Sequence, residues 1–399
     1  MHARNLLDEI FRSTLSRVMR REFTRIGNSW VLIFVTTIAP LASFLLVVWM
    51  FSQAVVRDLP ISIVDMDHTQ LSRKIARMVD AGPAVNIVFQ ASSLEEAKAR
   101  ISSGKEEAVL YLPKDLEKDL QKGSQTELAL FFNNSNLIKG GVIQSQMVTT
   151  IATLSGAVKV QAMVLKGVPR EEAVQKAQPI RPNTHLLFNP YGNYAYFLVT
   201  GLLPLLAVVF IFLGTAYAIG IEMKEGTGTA WLHTAGNSAT VALMGKLTPY
   251  LLLFFVNLTA MNFLLIKTMG APLNGSLGMI LFSEFLLILA YQSMALLFLT
   301  FTANLRLTLS LGSAYTMMAL TFSGLTFPTM GMDPIARIFS WIFPYAFWLK
   351  VFLGQSLRGE PVQEALYPML MLLPFIALGI LSIPFFKKRV TDERWQTRD

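Results

Sequence analysis

Six apolar runs, each long enough to cross a lipid bilayer, limit this chain more than any other feature. They are Trp30 to Phe51, Tyr194 to Ile221, Leu247 to Ile266, Leu277 to Ala303, Leu307 to Met332 and Ala365 to Phe386. A helix needs roughly 20 residues to cover about 30 Å of hydrocarbon at about 1.5 Å per residue, and every run reaches that length. Five carry no charge, and the fourth carries only Glu284. Composition agrees, with 53% of residues hydrophobic and 15% charged, against about 25% charged in soluble domains. Hydrocarbon offers backbone amides no partner, so such runs must close their own hydrogen bonds as helices. The expected fold is an α-helical membrane protein with six transmembrane helices. The first run is about twice the roughly 7–15-residue apolar core of a signal peptide, and no small-residue cleavage site follows promptly. It reads as an uncleaved span.

Charge sets the orientation. Net formal charge is +8, and Lys and Arg collect in short cytoplasmic loops. The N-terminal segment holds Arg4, Arg12, Arg17, Arg20, Arg21 and Arg25, and the loop after the second run holds Lys224 and Lys246. The turn after the fourth run holds Arg306, and the C-terminus holds Lys387, Lys388 and Arg389. The opposite turns carry Lys267, then Arg337, Lys350 and Arg358. Alternation then puts both termini inside and segment 54–190 outside, where its length exempts it from the rule. The basic excess is a topology signal, and no nucleic-acid partner is expected. There is no cysteine, which excludes disulfides and thiolate metal sites.

The expected organisation is a cytoplasmic amphipathic helix at 1–28, a first span at 29–53, an external α/β domain at 54–190 and a second span at 191–221. A cytoplasmic loop at 222–246, four further spans within 247–386 and a tail at 387–399 complete it. In the first segment Leu6, Leu7, Ile10, Phe11, Leu15, Val18, Met19, Phe23 and Ile26 recur at helical spacing among arginines, the pattern of a helix lying in the membrane interface. The external segment shows strand signals at 59–67, 84–90, 106–113 and 126–133 and helix signals at 68–82 and 92–104. Ser92 and Glu95 have the spacing of a capping box at the start of the second helix. Alternation of this kind implies βαβ crossovers and a small mixed sheet. A long helix from Asn136 to Lys166 follows, with Met147, Ile151, Leu154, Val158, Ala162 and Leu165 forming a seam for its own domain or a second copy. Pro169, Pro179 and Pro182 mark the return to the membrane. The outer stretch 328–361 carries Pro328, Pro334, Pro344 and Pro361 around WIFPYAFWLKVFLG. It is too interrupted for a seventh span and fits short re-entrant helices.

Chemistry of its own is sparse. No G-x-x-x-x-G-K-[ST] phosphate loop is present, since Gly104-Lys105 and Gly245-Lys246 lack both the upstream glycine and the following hydroxyl residue. His2, His68, His185 and His233 are scattered, and no H-E-x-x-H occurs. No metal site is expected. Asp65-Met66-Asp67 has the look of a carboxylate pair, but at a strand end entering a helix such side chains cap exposed amides. Glu284 lies inside an apolar run, where a carboxylate is costly and marks either a buried pair or a functional point. It reads as a helix-locking or snorkelling residue near Lys267, or as a polar point on a transport path. Ser310, Gly312, Ser313, Ala314, Thr316, Ser323 and Gly324 cluster in the fifth run, for close helix packing or for lining a path; Ser310, Ser313 and Thr316 are the path candidates.

Three stretches make the pattern specific. The first is LPISIVDMDHTQLSRKI with SSLEEAKARISSGKEEAVLYLPKDLEKDL. The second is GIEMKEGTGTAWLHTAGNSATVALMGKLTPYLL, through Glu222, Glu225, Gly226, Thr227, Leu232, Gly245, Lys246, Pro249 and Tyr250. The third is FSGLTFP at 322–328, with Met332, Pro334 and Pro344 downstream. Together they resemble the permease subunit of ABC-2 type (type V) exporters, in the branch with a large external domain between spans one and two. Where that family carries Thr-Pro, this chain reads Thr234-Ala235, and Trp231 and His233 also depart from its pattern. The resemblance implies that the loop after span two is a coupling helix seated in a cytosolic ATPase, with Glu222, Lys224, Glu225, Gly226, Thr227 and Leu232 at the contact. Glu222 and Glu225 would offer charges to a basic groove, and Thr227 would cap the short helix. It implies an outer gate at Phe322, Ser323, Gly324, Pro328, Pro334 and Pro344.

The resemblance further implies that ATP and Mg²⁺ bind in separate cytosolic ABC ATPase subunits and not in this chain. Expected partners are those ATPases, a second permease copy that is identical or homologous, a periplasmic adaptor and membrane lipids. The expected place is the bacterial inner membrane, and the expected cargo a hydrophobic or amphiphilic molecule, lipid or polymer. The alternative is a non-transport scaffold or receptor, which needs only a few spans and no glycine-bearing inner loop. A secondary transporter would carry inverted repeats and several intramembrane charges.

Overall fold

The computed structural model describes residues 2–52, 56–177, 185, 187–189 and 193–391, with side chains left undescribed for 2–13 and Tyr194. Pro179, Pro182, residues 392–399 of the tail and the side chains of Leu6, Leu7, Ile10 and Phe11 therefore lie outside the described set. The chain divides into two compact units, Met1–Ala54 with Leu186–Asp399, and Val55–His185.

The first unit is helical. Helix α1 runs His2–Asn28 and is followed at once by α2, Trp30–Met50. Ser29 separates them, its hydroxyl accepting from the Leu32 amide at 3.4 Å. Within α2 the turn Phe34–Ile38 is a π-helix. Pro40 has no N–H to give the Thr36 carbonyl, and that oxygen accepts instead from Asn257 Nδ2 at 2.7 Å. A side-chain bond of this kind between membrane helices contributes about 0.6–2 kcal/mol.

In the second unit, β1 (Leu59–Asp65), α3 (Gln70–Asp80), β2 (Val85–Gln90), α4 (Leu94–Ser102) and β3 (Ala108–Leu112) alternate as the sequence predicts. Helix α5 (Leu116–Gln121), β4 (Ala129–Phe132), the long α6 (Leu137–Leu165) and α7 (Arg170–Ala177) follow. The sheet order is β2-β1-β3-β4, with β1 parallel to both neighbours and β4 antiparallel to β3. Helix α4 starts one residue later than the capping box predicts. Ser93 caps the Glu96 amide at 3.2 Å, and Glu96 reaches back to the Ser92 amide at 2.8 Å. Asp65 accepts from the amides of Asp67 and His68 and from the Ser72 hydroxyl, so it closes the turn into α3.

The α6 seam divides in two. Ile143, Met147 and Leu154 are buried in the core beneath the sheet, and Gln146 ties α6 to the Val79 carbonyl and the Ala84 amide. Ala162 is exposed and Leu165 is 82% exposed.

The helical unit resumes with α8, Tyr194–Lys224, capped by the Asn193 side chain. Then come α9 (Gly228–Thr234), α10 (Ala239–Thr268), α11 (Leu277–Thr302) and α12 (Leu305–Phe322). The short α13 (Pro334–Ile342) and α14 (Pro344–Arg358) meet at 89°, and α15 (Val362–Thr391) ends the described chain. Helix α8 is central and packs against α2, α10, α11, α12 and α14.

Among the described residues six helices are long and apolar enough to span a membrane: α2, α6, α8, α10, α11 and α15. Five of them carry five of the six apolar runs. The remaining run, Leu307 to Met332, breaks early: α12 ends at Phe322, and Gly324 turns the chain at φ +88°. The sixth qualifying helix is α6 of the α/β unit, by length and composition alone. The bent α13–α14 pair has the form either of a broken span or of a re-entrant segment.

Candidate functional site

The joint between α8 and α10 gathers more buried charge than any other place among the described residues. Helix α8 ends in a glycine cap. Gly226 takes φ +67°, its amide bonds the Met223 carbonyl and the Thr227 amide bonds the Glu222 carbonyl, which is the paired bonding of a Schellman motif. Helix α9 ends the same way: Gly236 sits at φ +63°, its amide on the His233 carbonyl and the Asn237 amide on the Leu232 carbonyl. Both caps leave the chain free to reverse within a few residues.

Glu222 lies at the centre and is fully buried. Arg21 of α1 donates to both its oxygens, Nη1 to Oε1 at 2.7 Å and Nη2 to Oε2 at 3.0 Å. Arg25, one turn along α1, donates to Oε1 at 2.6 Å and with its other nitrogen to Glu225 at 2.6 Å. Lys246 Nζ of α10 stands 3.0 Å from Glu222 Oε1 and 2.6 Å from Glu22 Oε2. Tyr250, one turn along α10, donates to Glu22 Oε1 at 2.7 Å. The Thr227 hydroxyl donates to Glu222 Oε2. The bond to Glu222 raises the pKa of Arg21 further, so its guanidinium stays charged.

Burial of so much charge is costly unless geometry and hydrogen bonding are complete, and here they are. Glu22, Glu222 and Lys246 are all fully buried, and each has ionic partners. Lys246 also lies 5.1 Å from the Trp231 ring centroid, within cation–π range. Close approach of α1 depends on Gly245, where a Cβ would stand 2.7 Å from Val18.

Helix α9 has two faces. Trp231 and Leu232 are buried with Ile219, Leu299, Phe386 and Val390, and the Trp231 ring meets Phe386 edge-on at 6.2 Å. Lys224, Glu225, Gly226, Thr229, Ala230 and His233 are exposed. The sequence expectation that Glu222 offers its charge outward is thereby corrected: its carboxylate is consumed inside the chain. Thr227 occupies the N-cap position of α9 without capping it, because its hydroxyl is turned to Glu222. Leu232 faces inward, so of the six residues expected at a contact only Lys224, Glu225 and Gly226 are presented to it. Ala235, where the resembling family has proline, is buried in the same apolar cluster.

The partners of Glu222 escaped sequence reading. Arg21 and Arg25 read in sequence as topology charges, and Glu22 stands among them with no local mark of its partner. Two signals are present: an acid set within an arginine-rich helix, and Lys246 in the early turns of α10, whose other charge, Lys267, stands near the far end, so that Lys246 needs a partner from another element.

The remaining candidates lie elsewhere in the helical unit. Glu284 is fully buried and accepts from Asn262 Nδ2 at 2.8 Å, while its Oε2 has no partner among the described residues. Lys267 is exposed, so the snorkelling pair does not form. Ser310 and Ser313 line a 340 Å³ groove with Val35, Phe210, Leu213 and Tyr217, whereas Thr316 is buried and bonds the Gly312 carbonyl. Phe322 stacks on Phe343 at 5.8 Å beside the buried Pro344. Ser323 bonds the Leu320 carbonyl at the end of α12, and Pro328 and Pro334 are exposed.

A family model described as ABC-2 family transporter protein matches residues 30–383. The probable multidrug ABC transporter permease YbhS of Escherichia coli strain K12 is 21% identical over 358 residues, covering 85% of this chain and 86% of that protein. The protein of the same name from Escherichia coli O157:H7 matches to the same extent.

Proposed function

The chain belongs to the ABC-2 family of transporter proteins and is a membrane permease subunit of an ABC exporter; on that premise we propose that the charged joint carries the motion of a separate ATPase into the spans. The observation that supports this most is the position of Glu222. It binds α1, the end of α8, the start of α9 and α10 through one carboxylate. A push on α9 then cannot be absorbed locally. Through Trp231 and Leu232 it presses on α15 and on the end of α11, and through Glu222 it moves α8, the central helix.

In this reading the exposed face of α9, with Thr229, Ala230 and His233 beside Lys224, Glu225 and Gly226, meets the cytosolic ATPase. Glu222, Thr227 and Leu232 act from behind that face by holding its shape. ATP and Mg²⁺ bind in the ATPase, and a second permease copy completes the path. Both termini face the cytoplasm, the membrane is a bacterial inner membrane, and the α/β unit stands outside, within reach of a periplasmic adaptor. The cargo is a hydrophobic or amphiphilic molecule, a reading that follows the multidrug name of the relative and the apolar 340 Å³ groove beside Ser310 and Ser313. Phe322, Ser323, Gly324, Pro328, Pro334 and Pro344 shape the outer gate, and Glu284 braces α11 against α10.

Co-purification with the cognate cytosolic ATPase tests the reading. Ala230→Arg places a bulky charge on the exposed face without touching the buried one. It should lower ATPase recovery and export together, at unchanged permease level. Full recovery and full export by Ala230→Arg would remove α9 from the contact.

A further inference from the structure

The last turn of α8 packs beside the turn between α11 and α12. Helices α8 and α12 approach closely at Gly220, where a Cβ would stand 2.6 Å from Leu305 Cδ1. Lys224 lies one turn beyond Gly220 on α8, and Arg306 follows Leu305 on α12. That spacing sets both cations beside one helix contact, and they line the same cleft of 180 Å³. Ala303 holds the turn: it is buried and takes φ +47°, a conformation that crowds any residue with a Cβ. Asn304 then caps α12, its side chain accepting from the Leu307 amide at 2.9 Å, so Arg306 starts from a defined backbone. Both cations are exposed, and no acidic residue is among the lining residues. Glu225, next to Lys224, does not serve them, because Arg25 holds its carboxylate at 2.6 Å. Among the described residues no ion pair takes up Lys224 or Arg306.

We propose that this cleft receives one carboxylate side chain, Asp or Glu, from the cytosolic ATPase. The α11–α12 turn is then a second contact of that subunit, resting on the reading that α9 is the first. Charge selects the occupant. Two like charges converging on one concave site repel each other unless an anion lies between them. An ammonium and a guanidinium both make short, charge-assisted bonds to carboxylate oxygens. Size agrees: 180 Å³ lies below the roughly 300–1,000 Å³ of sites that hold whole small ligands, and it suits a single side chain. Continuity favours a protein over a lipid head, because Lys224 belongs to the exposed face that α9 turns to the ATPase. The sign reverses the sequence expectation of acids offered to a basic groove. With Glu222 buried and Glu225 held by Arg25, the outward charge at the cleft is cationic, and the matching surface is acidic.

The test uses the full permease with its cognate ATPase in proteoliposomes. A zero-length carbodiimide joins amines to carboxylates in direct contact, and mass spectrometry maps the adducts. Wild type should give an adduct between Lys224 and an acidic residue of the ATPase. Arg306→Lys keeps the charge, supplies an amine and should add a second adduct to the same acidic segment. Arg306→Glu should lower ATPase recovery on the order of tenfold at unchanged permease level, whereas Arg306→Lys should retain it. Lys387→Glu reverses an exposed cation on α15 and should leave recovery unchanged. Adducts from Lys387 or Lys388 with none from positions 224 and 306 would overturn the proposal. So would full recovery by Arg306→Glu, or an equal loss in Lys387→Glu, which would mean general surface charge. Loss of bound phosphatidylglycerol from Arg306→Glu at full ATPase recovery would assign the cleft to a lipid head instead. Ala230→Arg tells the two readings apart: reduced recovery there beside full recovery in Arg306→Glu removes only the second contact, and full recovery there removes α9 from the first.

Discussion

Replacing Lys246 by methionine keeps the length of the side chain and removes its charge. Lys246 is fully buried, 2.6 Å from Glu22 and 3.0 Å from Glu222. Its loss leaves Glu22, also fully buried, with only the Tyr250 hydroxyl on its other oxygen. Glu222 suffers less, since Arg21 and Arg25 remain on it. Removing one member of a buried pair costs about 3–5 kcal/mol, mostly the penalty on the charge left behind. Glu22→Gln alone should cost less, about 1.5–3 kcal/mol, because Lys246 keeps Glu222 and glutamine can still accept from Tyr250. Combining Glu22→Gln with Lys246→Met removes both charges and leaves Glu222 satisfied by its arginines. The double variant should therefore recover about 2–3 kcal/mol relative to the sum of the singles. Equilibrium unfolding of the purified chain in mixed micelles, run as a double-mutant cycle, reads the coupling directly. Additive losses, or a cost below about 1 kcal/mol for Lys246→Met, would refute the view that these charges act as one buried unit.

Two further outcomes follow from single positions. Gly226→Ala forces a side chain into the left-handed region at φ +67°, costing about 1–2 kcal/mol; it should reduce stimulation of the partner ATPase at unchanged membrane level, measured as nucleotide hydrolysis in proteoliposomes. Glu284→Gln can still accept from Asn262 and should keep both stability and export, whereas Glu284→Ala leaves a buried amide unpaired and should lose about 1–3 kcal/mol in the same unfolding assay; export lost in Glu284→Gln at full stability would instead place the carboxyl on the transport path.

Local patterns made most of the elements legible. The strands β1 to β4 and the helices between them follow alternation, capping residues and apolar spacing, which act within a few residues of each other. The shift from Ser92 to Ser93 is the small error such reading makes, because two adjacent serines offer the same chemistry. The early end of α12 was hidden because Leu307 to Met332 contains no charge, and hydropathy does not register a glycine at positive φ. The outward burial pattern of α6 was hidden for a related reason: a 3–4-residue seam shows which residues share a face, not whether anything covers it. The joint was legible only in part. Glycine spacing marked where α8 ends, but Arg21 and Glu222 are 201 positions apart. Nothing local links an arginine near one end of the chain to a carboxylate beyond its middle. Glu222, Glu225 and Thr227 looked alike in sequence as polar loop residues, and only packing separates the one that is exposed from the two that turn inward.

The joint also has an electrical consequence. It holds three cations, Arg21, Arg25 and Lys246, and three anions, Glu22, Glu222 and Glu225, joined through Glu222 in one chain of ion pairs. Their fields cancel over a few ångströms; Glu225 is half exposed, while Glu22, Glu222 and Lys246 are fully buried, where dissolved ions scarcely reach. Salt at physiological strength screens over about 8 Å in water and finds little there to weaken. If α9 receives a displacement as proposed, the fully buried part of the joint, Glu22, Glu222 and Lys246, would move with little dependence on ionic strength, while the half-exposed Arg25–Glu225 pair would remain open to screening.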